Sequence, residues 1–319
     1  MAGNVVVVAE DFGGIPAWRL TSSSGATALV AQHGATLLSW EPRPGKNLIA
    51  GYQSAAELQA GVDGRSRFSA PWVGPIAGSG FPFQNKQLYV GAASASGLAD
   101  PADFTVSAAE TRLGMRCELP DCAEYPWPLE LTASFALETG ADGLESLSVT
   151  FEVWNLAAED APVSVAWQPY LQLPGVSKVS NLAMHVPART KILTDELGVP
   201  LPGESAYAGV KAPFEIGYLG NTKVDTIFRG LVPGENGVVT SWLADPASST
   251  RVIVAQEPAE APVLRVSTGD SMTRNPRSAI AFAPMSHVPD AANRPDAAGT
   301  LAVAPGNSRQ MTVTITYAE

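Results

Sequence analysis

The sequence predicts an all-β protein, a large antiparallel sandwich or barrel with hardly any helix. Apolar residues recur with period two over many short segments. Turn formers, 29 glycines and 26 prolines, interrupt those segments along the whole chain. Helical periodicity is nearly absent, and many short strands with frequent turn signals are the pattern of sandwiches and barrels.

The elements follow in chain order. The opening "MAGNVVVVAEDF" has four consecutive valines and then acids, too short a run for a signal-peptide core. "SAAELQAG" (Ser54 to Gly61) is the best helical candidate, about two turns long. "GAASASGLADPAD" (Gly91 to Asp103) is the loosest stretch and reads as a long loop. "LELTASFAL" places Leu129, Leu131, Ala133, Phe135 and Leu137 on one face, and "LSVTFEVW" does so with Leu147, Val149, Phe151 and Val153. In "VSVAWQPYLQLPG", Val163, Val165 and Trp167 alternate with Ser164, Ala166 and Gln168 until Pro169 breaks the strand. Gln168 and Tyr170, two apart on a roughly extended chain, are expected to share a face. "VVTSWLAD" and "TRVIVAQ" read as a hairpin turning at Asp245-Pro246. "PVLRVST" follows, and "RQMTVTITY" ends the chain with Met311, Val313, Ile315 and Tyr317 inward. No repeat and no linker divides the chain, so residues 1–319 read as a single domain.

Composition narrows the partners. The 319 residues are 45% hydrophobic and only 16% charged, which suits a globular core. Acidic side chains outnumber basic ones 31 to 20, and a net charge of -11 repels phosphate backbones and anionic lipid. Nucleic acid and membrane are therefore not expected partners. No apolar run reaches transmembrane length, and a cytoplasmic location is the expectation. Oligomeric state leaves no mark in the sequence. The two cysteines of "CELPDC", Cys117 and Cys122, read as reduced thiols, with a bridge across the Pro-Asp turn as the alternative.

Motifs that carry chemistry are sparse. The three histidines, His33, His185 and His287, do not pair with one another or with cysteine at ligand spacing, so neither a metal nor another cofactor is expected. His33 and His185 read as structural or rim residues. His287, in "PMSHVPDAANRPD", stands three residues before Asp290 and is a candidate proton-transfer group, weighed against a turn cluster held by local backbone bonds. Tryptophans and tyrosines near turns, among them Trp72 and Tyr170, could stack on a sugar ring while amides and carboxylates bond its hydroxyls. Most such rings are ordinary core.

Several segments in order resemble the aldose 1-epimerase (galactose mutarotase-like) superfamily. "HGATLLSWEPRPGKNLIAGY" is similar to its "GA-x-L-x-S…N-L-x-G-Y" opening, and "APWVGPIAGSGFPFQNKQLY" to its "P-W-x-N-R-I-x-G-G-x-F" block. "WQPYLQLPG" resembles "H-x-Y-F-x-L", "KVDTIF" resembles "x-x-D-D-x-F", and "RVSTGD" resembles "x-Y-T-G-N". "AIAFAPMSHVPDAAN" resembles "a-x-E-P-M/Q…P-D-A-x-N", and "LAVAPG" resembles "L-x-P-G-E". "PWVGP" is closer to the hexose-6-phosphate mutarotase branch.

The resemblance implies a large antiparallel β-supersandwich that interconverts the α and β anomers of an aldose. A base takes the anomeric proton while an acid protonates the ring oxygen. The resemblance implies the acid at the His of "H-x-Y" and the base at the Glu of "P-G-E"; Gln168 and Asn307 stand there, and amides do not trade protons near neutral pH. Gln168 could still donate a bond to a ring oxygen. The "N-R" pair is matched by Gly74 and Pro75, and "H-G-G" has no counterpart. Asp225 and Tyr170 are retained. The expected sugar contacts are thus Gln168, Tyr170, Asp225, Asn307 and Trp72, with His287 and Asp225 as candidates for catalysis, followed by Asp270, Glu257 and Asp290.

Three readings follow. The first is a monosaccharide-binding member with weak or lost mutarotase activity. The second is an active isomerase with relocated groups, on a sugar phosphate if Arg65 and Arg67 of "GRSRF" form a cationic pocket. The third is a non-catalytic interaction protein.

Overall fold

The computed structural model describes residues 5–91 and 97–319. Two large antiparallel sheets, one 9-stranded and one 8-stranded, carry the core, and a 4-stranded sheet is built from residues 6–41. The sole α-helix among the described residues is Ala55–Gln59, shorter than the sequence suggests. The Ser54 side chain caps it by accepting from the Glu57 amide at 3.2 Å.

The long alternating segments form the middle of the 9-stranded sheet. Leu129–Thr139 pairs with Glu145–Asn155, which pairs with Ser308–Ala318. Every inward residue named from the sequence in these strands is buried. The Val239–Ala244 and Arg251–Gln256 strands form the expected hairpin. Asp245 closes its turn by accepting from the Ala247 amide at 3.0 Å and the Ser248 hydroxyl at 2.6 Å.

The 8-stranded sheet positions the site. Seven of its strands run side by side as Tyr207–Gly209, Ala188–Ile192, Asp225–Leu231, Val263–Ser267, Ile280–Met285, Ala166–Gln168 and Arg67–Ser69, and the eighth, Tyr170–Leu171, also pairs with Ile280–Met285. Alternation sends Phe68, Trp167, Phe228, Leu264 and Phe282 into the core. The Phe68 ring stacks on Phe151 of the other sheet at 4.4 Å and lies 5.9 Å from Trp167. The alternate residues of the same strands face away from that core.

Residues 92–96 of the Gly91–Asp103 loop lie outside the described residues. Leu98 and Ala99 donate their amides to the Ala70 carbonyl. Cys117 and Cys122 are free thiols.

Candidate functional site

The outward face of the 8-stranded sheet forms the floor of a groove of about 460 Å³, within the ~300–1,000 Å³ range of small-molecule sites. The floor follows period two across five strands: Arg67 and Ser69, Ala166 and Gln168, Asp225 and Ile227, Arg265, Ala283 and Met285. Asp63 and Gly64 form one wall, Val73 to Pro75 with Pro289 another, and Thr194 to Gly198 a third.

Hydrogen-bonding groups on the floor are held in place. Arg265 donates from Nε to Asp225 Oδ1 at 2.9 Å and from Nη2 to Oδ2 at 3.0 Å. Arg67 pairs with Asp100 at 3.0 Å and donates to the Gly61 carbonyl at 3.1 Å. Burial pushes the Asp100 carboxyl up, against the pull of Arg67 and His33. Gln168 donates from Nε2 to the Asp63 and Gly64 carbonyls at 3.3 and 3.1 Å. Both of its donors are spent, so the free group is the acceptor Oε1. Gln168 therefore presents an acceptor, and no donor, to the groove. Gly64, at φ +60°, is required there: a Cβ would lie 3.1 Å from Gln168 Nε2.

Four carboxylates line the groove. Asp63 accepts from the Thr273 amide at 2.7 Å and from Arg65 Nη2 at 2.9 Å. Burial works to raise its pKa, but these bonds prevail and lower it. Asp195 caps its own turn, taking the Leu197 and Val199 amides at 2.9 Å. Asp225 is tied to Arg265. Glu196 is exposed on the wall and has no ion-pair partner among the described residues.

The other expected site residues lie elsewhere. Tyr170 shares the outward face with Gln168, directly across from Ala281, but its ring is buried against Met272, Ala279 and Ala281 and does not line the groove. Trp72 is buried in the core and packs near Tyr125 at 6.3 Å. His287 is 7% exposed, with Nδ1 2.9 Å from Ser286 Oγ and Nε2 3.0 Å from Thr300 Oγ1. Burial and the nearby Arg309 and Arg229 push its pKa down to about 3, so it stays neutral and outside the groove. Asp290 accepts from the Ala77 amide and the Asn293 side chain. Asp270 is held by Thr268 and Arg277, and neither it nor Glu257 lines the groove.

Asn307 sits on an exposed turn outside the groove, where its carbonyl accepts from the Asn155 amide. The chain instead opens Ala283 onto the floor, and Ala283 aligns with the Glu of the "a-x-E-P-M/Q" pattern. Register puts Ala283 directly across from Arg265. The position where a strand-borne carboxylate would face a ligand is therefore an alanine. Arg265 was also not singled out from the sequence; its one signal there is a lone charge in the apolar run "PVLRVS".

Arg65 and Arg67 do not converge. Arg67 faces the groove, whereas Arg65 is 1% exposed behind it, donating to the Ala50 carbonyl at 2.7 Å. Among the described residues no cluster of His, Cys, Asp and Glu is arranged to hold a metal ion, and no helix is long and apolar enough to cross a membrane.

Fold and groove together define a galactose mutarotase-like β-sandwich protein. The aldose 1-epimerase family profile matches residues 16–316, and the chain belongs to that family. It is similar in structure to a galactose mutarotase-like protein from Clostridium acetobutylicum at 14% identity, TM-score 0.82, covering 99% of each chain. Galactose 1-epimerase from Lactobacillus acidophilus is 17% identical, TM-score 0.78, again over 99% of each chain. An aldose epimerase homologue from C. elegans is 13% identical, TM-score 0.77, over 100% of this chain and 99% of the other. At these identities the likeness is one of fold. No curated protein matches the sequence significantly.

Proposed function

We propose that the groove binds a neutral monosaccharide and that the chain exchanges its anomers slowly at best. The observation that carries this reading is the floor itself. It offers oriented partners for hydroxyls, namely the Asp225–Arg265 pair and the Gln168 carbonyl, beside Ala283 where a carboxylate is missing. Ring opening needs a proton taken from the anomeric hydroxyl and one given to the ring oxygen. The lining residues include no histidine, lysine, cysteine or tyrosine to give one. Glu196 is the carboxylate left to accept one, and an exposed group on a loop is poorly oriented for it.

The charge balance favours an uncharged sugar over a phosphorylated one. Asp63, Asp195, Glu196 and Asp225 face Arg67 and Arg265, and each arginine is already paired. A phosphate entering this groove would meet net negative charge.

Calorimetry with D-galactose, D-glucose and glucose 6-phosphate tests the binding, with polarimetry of freshly dissolved α-anomers on the same protein. Saturable binding of a neutral sugar, with mutarotation close to the buffer rate, is expected. Absence of binding to a panel of neutral aldoses, or turnover far above the blank, defeats the proposal.

A further inference from the structure

A second cavity of about 510 Å³ opens behind the groove wall. Arg65, Lys178 and Arg274 line it, and no carboxylate does. In a chain of net charge -11 this is a local reversal of sign. Two of the cations have partners set behind the cavity surface: Arg65 bonds Asp63 at 2.9 Å, and Arg274 bonds Glu57 at 3.0 Å. Lys178 has, among the described residues, only the Pro276 carbonyl as a partner, at 2.7 Å. Positive charge is left over.

The buried arginine is under-satisfied. Arg65 is 1% exposed, yet its Nε has no hydrogen-bond partner among the described residues. An unpaired buried donor of this kind costs ~1–3 kcal/mol, more when charged. Gln53, Ser177 and Asn275 also line the cavity, and their side chains make no hydrogen bond among the described residues. Asn275 holds a φ of 53°, in a turn that places Arg274 on the cavity.

We propose that this cavity is a binding site for a phosphate-bearing small molecule, separate from the sugar groove. Guanidinium and ammonium groups hold the phosphate oxygens, and the free amides and hydroxyl hold a polar remainder. The two chambers share one strap: Asp63, Gly64 and Arg67 face the groove, and Arg65 faces the second cavity.

The test uses the full chain and titrates inorganic phosphate, glucose 6-phosphate and D-glucose by calorimetry at low and high salt. Phosphate compounds are expected to bind more weakly as salt rises. Lys178→Gln, which removes an exposed group that donates to the Pro276 carbonyl, is expected to weaken that binding at least about tenfold. Arg274→Gln is expected to do the same. Gln168→Ala, in the groove, should leave phosphate binding intact while altering D-glucose binding. Glucose 6-phosphate binding tighter than inorganic phosphate identifies an organic phosphate as the ligand; equal affinities identify free phosphate. No phosphate binding, or binding indifferent to Lys178→Gln and Arg274→Gln, overturns the proposal, and loss through Gln168→Ala instead assigns the anion to the groove. Failure here leaves D-glucose binding, and so the reading of the groove, unaffected.

Discussion

Arg265 grips Asp225 through two parallel bonds, 2.9 and 3.0 Å, across adjacent strands, with Ala283 directly on the arginine's other side. The pair is diagonal rather than directly opposite: Asp225 sits across from Ser267, two residues beyond Arg265. One strand pairing therefore fixes a carboxylate on the groove floor, and the next places a methyl group beside it.

Breaking the pair should damage binding more than stability. Its side chains are 41% and 58% exposed, and exposed ion pairs contribute only ~0–1 kcal/mol to folding. Arg265→Met lets the Asp225 carboxylate swing free, and affinity for a neutral aldose should fall about tenfold, a charge-assisted hydrogen bond being worth ~1.5–3 kcal/mol. Calorimetry checks the affinity, and thermal melting should move little. An unchanged affinity removes the pair from the sugar site.

Restoring the missing groups should create activity. Ala283→Glu with Gln168→His supplies a carboxylate and an imidazole on the groove floor, and general acid–base groups each contribute typically ~100- to 10,000-fold. Polarimetry of α-D-galactose should show the double variant accelerating at least about tenfold over the native chain. Asn307→Glu with Gln168→His should not, because residue 307 lies outside the groove. Activity in the second pair and silence in the first would reverse the assignment of the two positions.

Acid should weaken the fold through His287. Its folded pKa is about 3 against 6.5 for the free side chain, so the unfolded chain binds the proton first. The contribution is fully present above pH 6.5 and drains away as pH falls toward 3, to a limit of about 4–5 kcal/mol. Urea unfolding of the native chain and of His287→Gln across this range should show the native chain losing more stability. Parallel curves would mean that His287 accepts a proton without cost.

Phe68 should anchor the site from beneath. Its ring lies between Phe151 at 4.4 Å, Trp167 at 5.9 Å and Phe135 at 6.3 Å, while Arg67 and Ser69 on either side of it face the groove. Phe68→Ala should cost ~3–5 kcal/mol, read as a lower urea midpoint at unchanged slope. Phe68→Leu should recover most of it. A loss below about 1 kcal/mol in the alanine variant would mean that neighbouring rings close the gap.

Much of the fold was legible because strand geometry is local. The inward residues of Leu129–Thr139, Glu145–Asn155 and Ser308–Ala318 could be named from period two alone, since the pleat assigns each side chain a face whatever its partner. The Asp245-Pro246 hairpin was legible for the same reason. The order of motifs also carried the family, which the profile over residues 16–316 bears out. Gln168 and Asp225 were placed on the groove by motif position, and both line it.

What the sequence could not settle depends on pairing between distant segments. Residues 67, 168, 225, 265 and 283 meet only because their strands stand side by side, and register between strands is not written in any one of them. So Ala283, not Asn307, opens on the groove. Tyr170 keeps the face that period two assigns it, across from Ala281, but packing against Met272 and Ala279 buries its ring away from the groove lining. Arg65 and Arg67 differ by two positions, yet one faces each chamber, because Arg65 precedes the strand that begins at Arg67 and is not bound by its pleat. The sequence by itself determined the strands, their faces and the family. Only the tertiary structure decided which polar residues share a chamber, because side-chain direction is a local property and proximity is not.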